Sequence, residues 1–182
     1  ESWFEETRTH FLKQGFHIVK STRDDVTLER RSASGVVWRL ALTRDEAADR
    51  AETLGDPTID IVMHRGHIYH LDKTFVANSP EAATPKLLIG GACGAYGKMT
   101  APSFMDAFSK HDLIADADIS HGAVNNDLIL EVFRSLENRP TTWDQANLKR
   151  FEKQGIVFPN QMPSIVENYR RIIDEQRGKL VS

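Results

Sequence analysis

Two short, almost wholly apolar runs constrain this chain more than anything else in it. The first is Ile59-Asp60-Ile61-Val62-Met63, and the second is Leu87-Leu88-Ile89, entered at Lys86 and left at Gly90. Runs of this length without alternation fit strands buried on both faces, as in the centre of a parallel sheet. Each ends at a chemically loaded break: His64-Arg65-Gly66-His67 after the first, and Gly90-Gly91-Ala92-Cys93-Gly94-Ala95-Tyr96 after the second. In open parallel sheets the ligand crevice lies beyond the carboxyl ends of the strands. A thiol and two imidazoles therefore fall where a site is expected.

The flanking pattern supports an α/β fold. Residues 2–14 carry Trp3, Phe4, Phe11 and Leu12 at a helical period and stop at Gly15. Phe16–Val19, Asp25–Arg31 and Val36–Leu42 read as strands, the last two joined by a Ser32–Gly35 turn into a hairpin. Thr43, with Glu46 three residues on, predicts a capped helix over 44–54. A short helix is expected near 72–77, a loop over 78–85, and a helix over 102–110. A further strand is expected within 113–120. Val124, Leu128, Ile129, Val132, Phe133 and Leu136 define a strong amphipathic helix over 124–136. Residues 143–153 and 163–176 are two more helical candidates. Strands alternating with helices predict an α/β sandwich with a largely parallel sheet. Residues 1–182 are read as one domain cut from a longer chain, because the sequence opens at Glu1.

Composition narrows the function classes. A net charge of −3 gives no broad basic field, so no nucleic-acid partner is expected. No apolar run approaches the roughly 20 residues that span a bilayer. Cys93 is the single cysteine, so the fold is not expected to rest on a disulfide, and the compartment leans toward a reducing cytoplasm. The start at Glu1 leaves a removed leader, and hence secretion, open. No cofactor is expected.

A free cysteine thiol ionises near pH 8.5, and a neighbouring imidazole can deprotonate it. The glycines around Cys93 permit a sharp turn and leave room for a substrate chain. Backbone N–H groups at Cys93, Gly66 and Gly94 are candidates for an oxyanion hole.

The order of an apolar strand, Gly66-His67, a second apolar strand and Ala92-Cys93 resembles the clan CD cysteine peptidases. These include caspases, gingipains, clostripain, legumain and separase, with gingipain-like members nearest in style. The resemblance covers roughly residues 59–96. It implies a caspase-like three-layer α/β sandwich around a mostly parallel central sheet. It also implies a peptide or protein substrate, His67 as general base and Cys93 as nucleophile. Asp116 or Asp118 would then be candidates for favouring a basic residue before the scissile bond. Further domains of the same chain would be natural partners.

Other readings stand beside this one. A lone cysteine at a strand end is often just a small buried hydrophobe. His64, His67 and His70, with Asp72, could form a metal site, although the glycine and the preceding strand argue against one helical face. His121, followed by Gly122, is a rival base in the papain-like order. His64 and His121 are also candidate accessory groups. Asn125, Asn126 or Asp127 could orient a histidine, but they sit where a helix begins and capping is favoured. Lys98 is separated from Thr100 by Met99, which breaks a phosphate-loop pattern. Trp3, Trp38 and Trp143 are read as packing residues, and Arg170–Lys179 as a solvated helix. The chain is thus expected to be a cysteine peptidase domain. A non-catalytic caspase-like binding module is the alternative, and a histidine-cluster metal protein ranks below it.

Overall fold

A computed structural model of the chain describes residues 3–44, 56–75, 85–138, 148, 150–160 and 163–179. It is an α/β structure with two sheets. Helix α1 (Trp3–Lys13) buries Phe4, Thr7 and Phe11 and ends before Gly15, whose φ of 83° suits the turn that reverses the chain. Strands β1 (His17–Ser21), β2 (Asp25–Arg31) and β3 (Val37–Thr43) form an antiparallel sheet in that order. The hairpin expected from the Ser32–Gly35 turn is present, with Arg31 paired to Val37 and Asp25 to Thr43.

The second sheet has four strands in the order β4-β5-β6-β7: β4 (Ile61–Gly66), β5 (Leu87–Ala92), β6 (Asp112–Asp116) and β7 (Ile156–Asn160). β4, β5 and β6 run parallel, and β7 is antiparallel to β6, so the sheet is mixed. A 3-10 turn at Ile68–His70 leads into α2 (Leu71–Phe75) after β4. α3 (Ala95–Met99) and α4 (Pro102–Ala107) follow β5, and α5 (Gly122–Glu137) follows β6. A 3-10 turn at Arg150–Gln154 precedes β7, and α6 (Pro163–Gly178) ends the described chain.

Alternation along β5 explains how helices cover both faces. Leu87 and Ile89 point to one side, where they meet Leu128, Val132 and Leu136 of α5 and Ile173 of α6. Leu88 points to the other, with Leu71 and Phe75 of α2, Met99 of α3 and Phe104 of α4. All six residues of β5 are buried, which is why the run reads as continuous rather than alternating. Each fully buried Leu, Ile or Phe contributes roughly 1.5–3 kcal/mol relative to exposure. A third cluster, including Phe4, Phe11, Phe16, Leu28, Ile129 and Phe133, packs α1 and the antiparallel sheet onto the outer side of α5.

Several expectations shift. The first apolar run does not stop at Met63: β4 continues through His64, Arg65 and Gly66. Nor do Gly90 and Gly91 break β5, which runs on to Ala92. They are glycines because a Cβ at Gly90 would lie 2.9 Å from the Ala95 Cβ, and one at Gly91 would lie 3.0 Å from both Asn125 Nδ2 and the His64 carbonyl. β6 ends at Asp116, short of Ser120. β7 was not foreseen. The expected helix at 44–54 and the loop at 78–85 fall almost wholly outside the described residues, as do most of 143–153 and the end of 72–77. No helix among the described residues is long and apolar enough to cross a membrane.

Candidate active site at the carboxyl ends of β4, β5 and β6

The parallel register aligns the two candidate catalytic residues. Gly66 is the Cα partner of Ala92, the last pair between β4 and β5. His67 and Cys93 are the first residues past the paired ends of these two strands, which as neighbours lie about 4.8 Å apart. Each exit depends on a glycine. Gly66 has φ 136° and Gly94 has φ 70°, both in the range that L side chains rarely adopt. Gly94 then caps α3, which carries the chain away from the thiol. Cys93 and His67 are both exposed. The His67 ring lies face to face with the Tyr69 ring, centroids 5.2 Å apart and planes 7° from parallel.

The three histidines after the first apolar run have separate placements. His64 is a strand residue with a fully buried side chain. Its Nδ1 lies 2.7 Å from Thr74 Oγ1 and its Nε2 lies 3.2 Å from the His67 carbonyl oxygen. A carbonyl only accepts, so Nε2 carries the proton toward it, and Nδ1 can take the Thr74 hydroxyl proton. His64 thus pins the backbone of His67 from below the sheet end. His70 packs its ring against Tyr69 at 4.4 Å. Among the described residues, no group of three or more His, Cys, Asp or Glu is arranged to hold a metal ion.

A third wall comes from the segment after β6. The Ser120 N–H donates to Cys93 Sγ at 3.4 Å. The Ser120 hydroxyl donates to the Gly91 carbonyl at 3.0 Å, tying this segment to β5 two residues before the thiol. Asn125 Nδ2 donates to Ser120 Oγ at 2.7 Å and to Asp116 Oδ2 at 3.3 Å. Asp116 is only 4% exposed. Burial pushes its carboxyl above the ordinary 3.8, while hydrogen bonds from Ser120 and Asn125 and the charges of His121 and Arg65 pull it back. This inward, buried carboxyl faces the protein and not a substrate, so of the two aspartates suggested for a basic residue only Asp118 is exposed.

Two assignments change with this geometry. The Gly94 N–H donates to the Asp118 carbonyl at 2.8 Å, so it is committed within the fold and is not free to serve as an oxyanion donor. Asn125 is not a helix cap. The N-cap of α5 is His121, which makes no side-chain capping bond, and Asn125 lies inside the first turns, 1% exposed. His121 is exposed at the mouth of the same region, where its charge acts on Asp116.

Arg65 braces the site from β4. Its Nη1 donates to Asn126 Oδ1 at 2.8 Å and to the Thr7 hydroxyl, joining β4 to α5 and α1. Burial lowers the guanidinium pKa, and Glu6 and Asp116 raise it again. Gly122 leaves room beside it, since a Cβ there would sit 2.8 Å from Arg65 Nη2 and displace that end of the guanidinium.

Three large exposed apolar side chains follow the three parallel strands. Tyr69 follows β4, Tyr96 follows β5 and Ile119 follows β6, and they are 61%, 42% and 68% exposed. A separate cleft of about 950 Å³ lies between β3 and β4, lined by residues such as Trp38, Leu40, Met63 and Phe133, and neither Cys93 nor His67 lines it. His64 packs and hydrogen-bonds locally, as a non-catalytic histidine of this cluster was expected to, whereas sequence reading missed Ser120 and Asn125 as bonding groups. Those contacts join residues distant in sequence, and no spacing rule announces them. No protein-family profile, no curated protein and no solved structure matches this chain.

Proposed function

We propose that this chain is a caspase-like cysteine peptidase domain, a three-layer sandwich around the mixed sheet, in which Cys93 and His67 form the catalytic pair. The observation that carries this reading is the β4–β5 register, in which Gly66 opposite Ala92 makes His67 and Cys93 the next residues out. In the reaction, His67 takes the Cys93 proton as the sulfur attacks the peptide carbonyl carbon. The carbonyl oxygen gains charge, and the N–H groups of Cys93 and Gly66 are the candidate donors for it. The imidazolium then protonates the leaving amine as the C–N bond breaks. Water, deprotonated by His67, hydrolyses the resulting thioester and restores the thiol.

The glycines with positive φ on both strand exits support this reading, because they open the backbone beside each reacting group. So does His64, which fixes the carbonyl of His67. The exposed ring of Tyr69, Tyr96 and Ile119 offers apolar contact to an extended peptide. A second reading, a non-catalytic module of the same fold, is favoured by two features. Ile68 stands directly after His67, where the resembling peptidases carry glycine, and the His67 ring is stacked on Tyr69. Incubation with a diverse peptide mixture followed by mass spectrometry separates the two. The peptidase reading expects new termini that vanish in Cys93→Ala and in His67→Ala. Cleavage that persists in Cys93→Ala, or no cleavage by a folded wild-type protein, supports the second reading.

A further inference from the structure

We propose that Ser120, Asn125 and Asp116 form a positioning chain that holds the Ser120 backbone N–H against the Cys93 sulfur and thereby promotes ionisation of the thiol. This rests on Cys93 being the nucleophile.

The direction of each bond in the chain is fixed by what its partner can do. The Gly91 carbonyl only accepts, and the Ser120 hydroxyl proton serves it and the nearby Asp116 carboxyl, never Asn125. Ser120 Oγ then faces Asn125 as an acceptor, and the Asn125 amide must present its NH2 side. That NH2 group also reaches Asp116 Oδ2, which the buried carboxyl supplies as the terminal acceptor. The result is a one-way series from α5 through the segment after β6 to β5, with the Ser120 N–H left over and aimed at Sγ. A donor to sulfur favours the thiolate over the thiol. Asn125 is buried to 1% exposure and its Oδ1 has no hydrogen-bond partner among the described residues, so its NH2 group is the side that bonds. Gly91 keeps the space clear, since a Cβ there would lie 3.0 Å from Asn125 Nδ2.

Other titratable groups stand on the elements that meet at Cys93. They are His64 and Arg65 on β4, His67 after it, Tyr96 and Lys98 on α3, Asp116 at the end of β6, Asp118 after it, and His121 at the start of α5. Single changes in the chain leave all of them in place except Asp116, which is why Ser120 and Asn125 are the positions to vary.

The test follows Cys93 alkylation by iodoacetamide from pH 5.5 to 9.5 on the full chain, with thermal denaturation as the control for folding. Ser120→Ala and Asn125→Ala are expected to displace the rate profile toward higher pH, lowering the rate at pH 6.5 by roughly three- to tenfold. Ser120→Thr, which keeps the hydroxyl, is expected to stay near wild type. Ser120 is half-buried and no core residue, so Ser120→Ala carries the test even if Asn125→Ala unfolds. A folded Ser120→Ala protein whose profile coincides with wild type overturns the proposal. If His67→Ala displaces the profile in that same experiment, the nucleophile reading survives. A wild-type profile equal to that of a free peptide thiol, unchanged by His67→Ala, overturns both.

Discussion

Asp116 shows how the site trades stability for arrangement. Its carboxyl is buried, and desolvation outweighs the hydrogen bonds and positive charges that favour its ionised form. Its folded-state value is therefore raised above 3.8, so the folded protein holds this proton more tightly than the unfolded chain. Stability from this group is present below the ordinary value and is lost as pH rises through the raised one. Asp116→Asn keeps an acceptor for Asn125 and removes the titration. We expect it to raise Tm at neutral pH and to flatten the pH dependence above the ordinary carboxyl value of 3.8, as thermal denaturation at rising pH will report. Two glycines make a matched pair of backbone tests. Gly91→Ala places a methyl against Asn125 and the His64 carbonyl, and overpacking of this kind costs about 1–3 kcal/mol. Gly94→Ala meets nothing within 4 Å but must hold φ near 70°, a strain of about 1–2 kcal/mol. Urea denaturation of both variants measures these costs. At this scale the sequence showed that Cys93 and His67 each stand just past the end of a strand of the same parallel pair. It hid Ser120 and Asn125, whose importance lies in bonds to Gly91 and Asp116 on other strands.

The elements were legible wherever a period or a run was long enough. α1, the β2–β3 hairpin, α5 and α6 follow from apolar spacing and turn residues. The ends of β4 and β5 were misjudged for one reason: His64 and Gly90-Gly91 look like breaks in a hydropathy pattern. In the structure they are strand residues, because α2 supplies Thr74 to His64, and α3 and α5 leave no room for a Cβ at the glycines. β7 was missed because Val157-Phe158-Pro159-Asn160 contains a proline, which weakens any strand assignment. It is tolerated because β7 is the last strand in the sheet, and its pairing with β6 is irregular between Leu113 and Ala115. The segments that follow β4, β5 and β6 each present one exposed large hydrophobic side chain. If these grip the substrate beside the reacting pair, Tyr96→Ala and Ile119→Ala should raise KM for peptide cleavage several-fold. kcat should change little, since neither side chain is placed to touch the reacting bond. A fall in kcat at unchanged KM would assign them another role.

At the scale of the molecule, α5 is the shared support. One side packs on the mixed sheet through Leu128, Val132 and Leu136, and the other receives α1 and the antiparallel sheet through Ile129, Leu130 and Phe133. Phe133 stacks on Trp38 at 4.3 Å with planes 10° apart, and the Trp38 indole N–H donates to Glu137. Phe133→Ala removes that contact and is expected to cost about 3–5 kcal/mol, visible as a lowered urea midpoint. The same helix begins at His121 and carries Asn125 and Asn126, so the first turn of the central support is also the back wall of the site. Composition foretold an ordinary globular chain and the strand–helix alternation foretold α/β, but neither could announce two sheets joined through one helix. That arrangement depends on which face each residue of α5 buries. The central claim is that this scaffold delivers His67 to Cys93 as a working pair, and one comparison tests it most directly. Iodoacetamide alkylation of Cys93 at pH 6.5 should run about tenfold or more faster than for a free peptide thiol, and His67→Ala should remove most of that excess. Wild-type and His67→Ala proteins that both react at the free-thiol rate would contradict it.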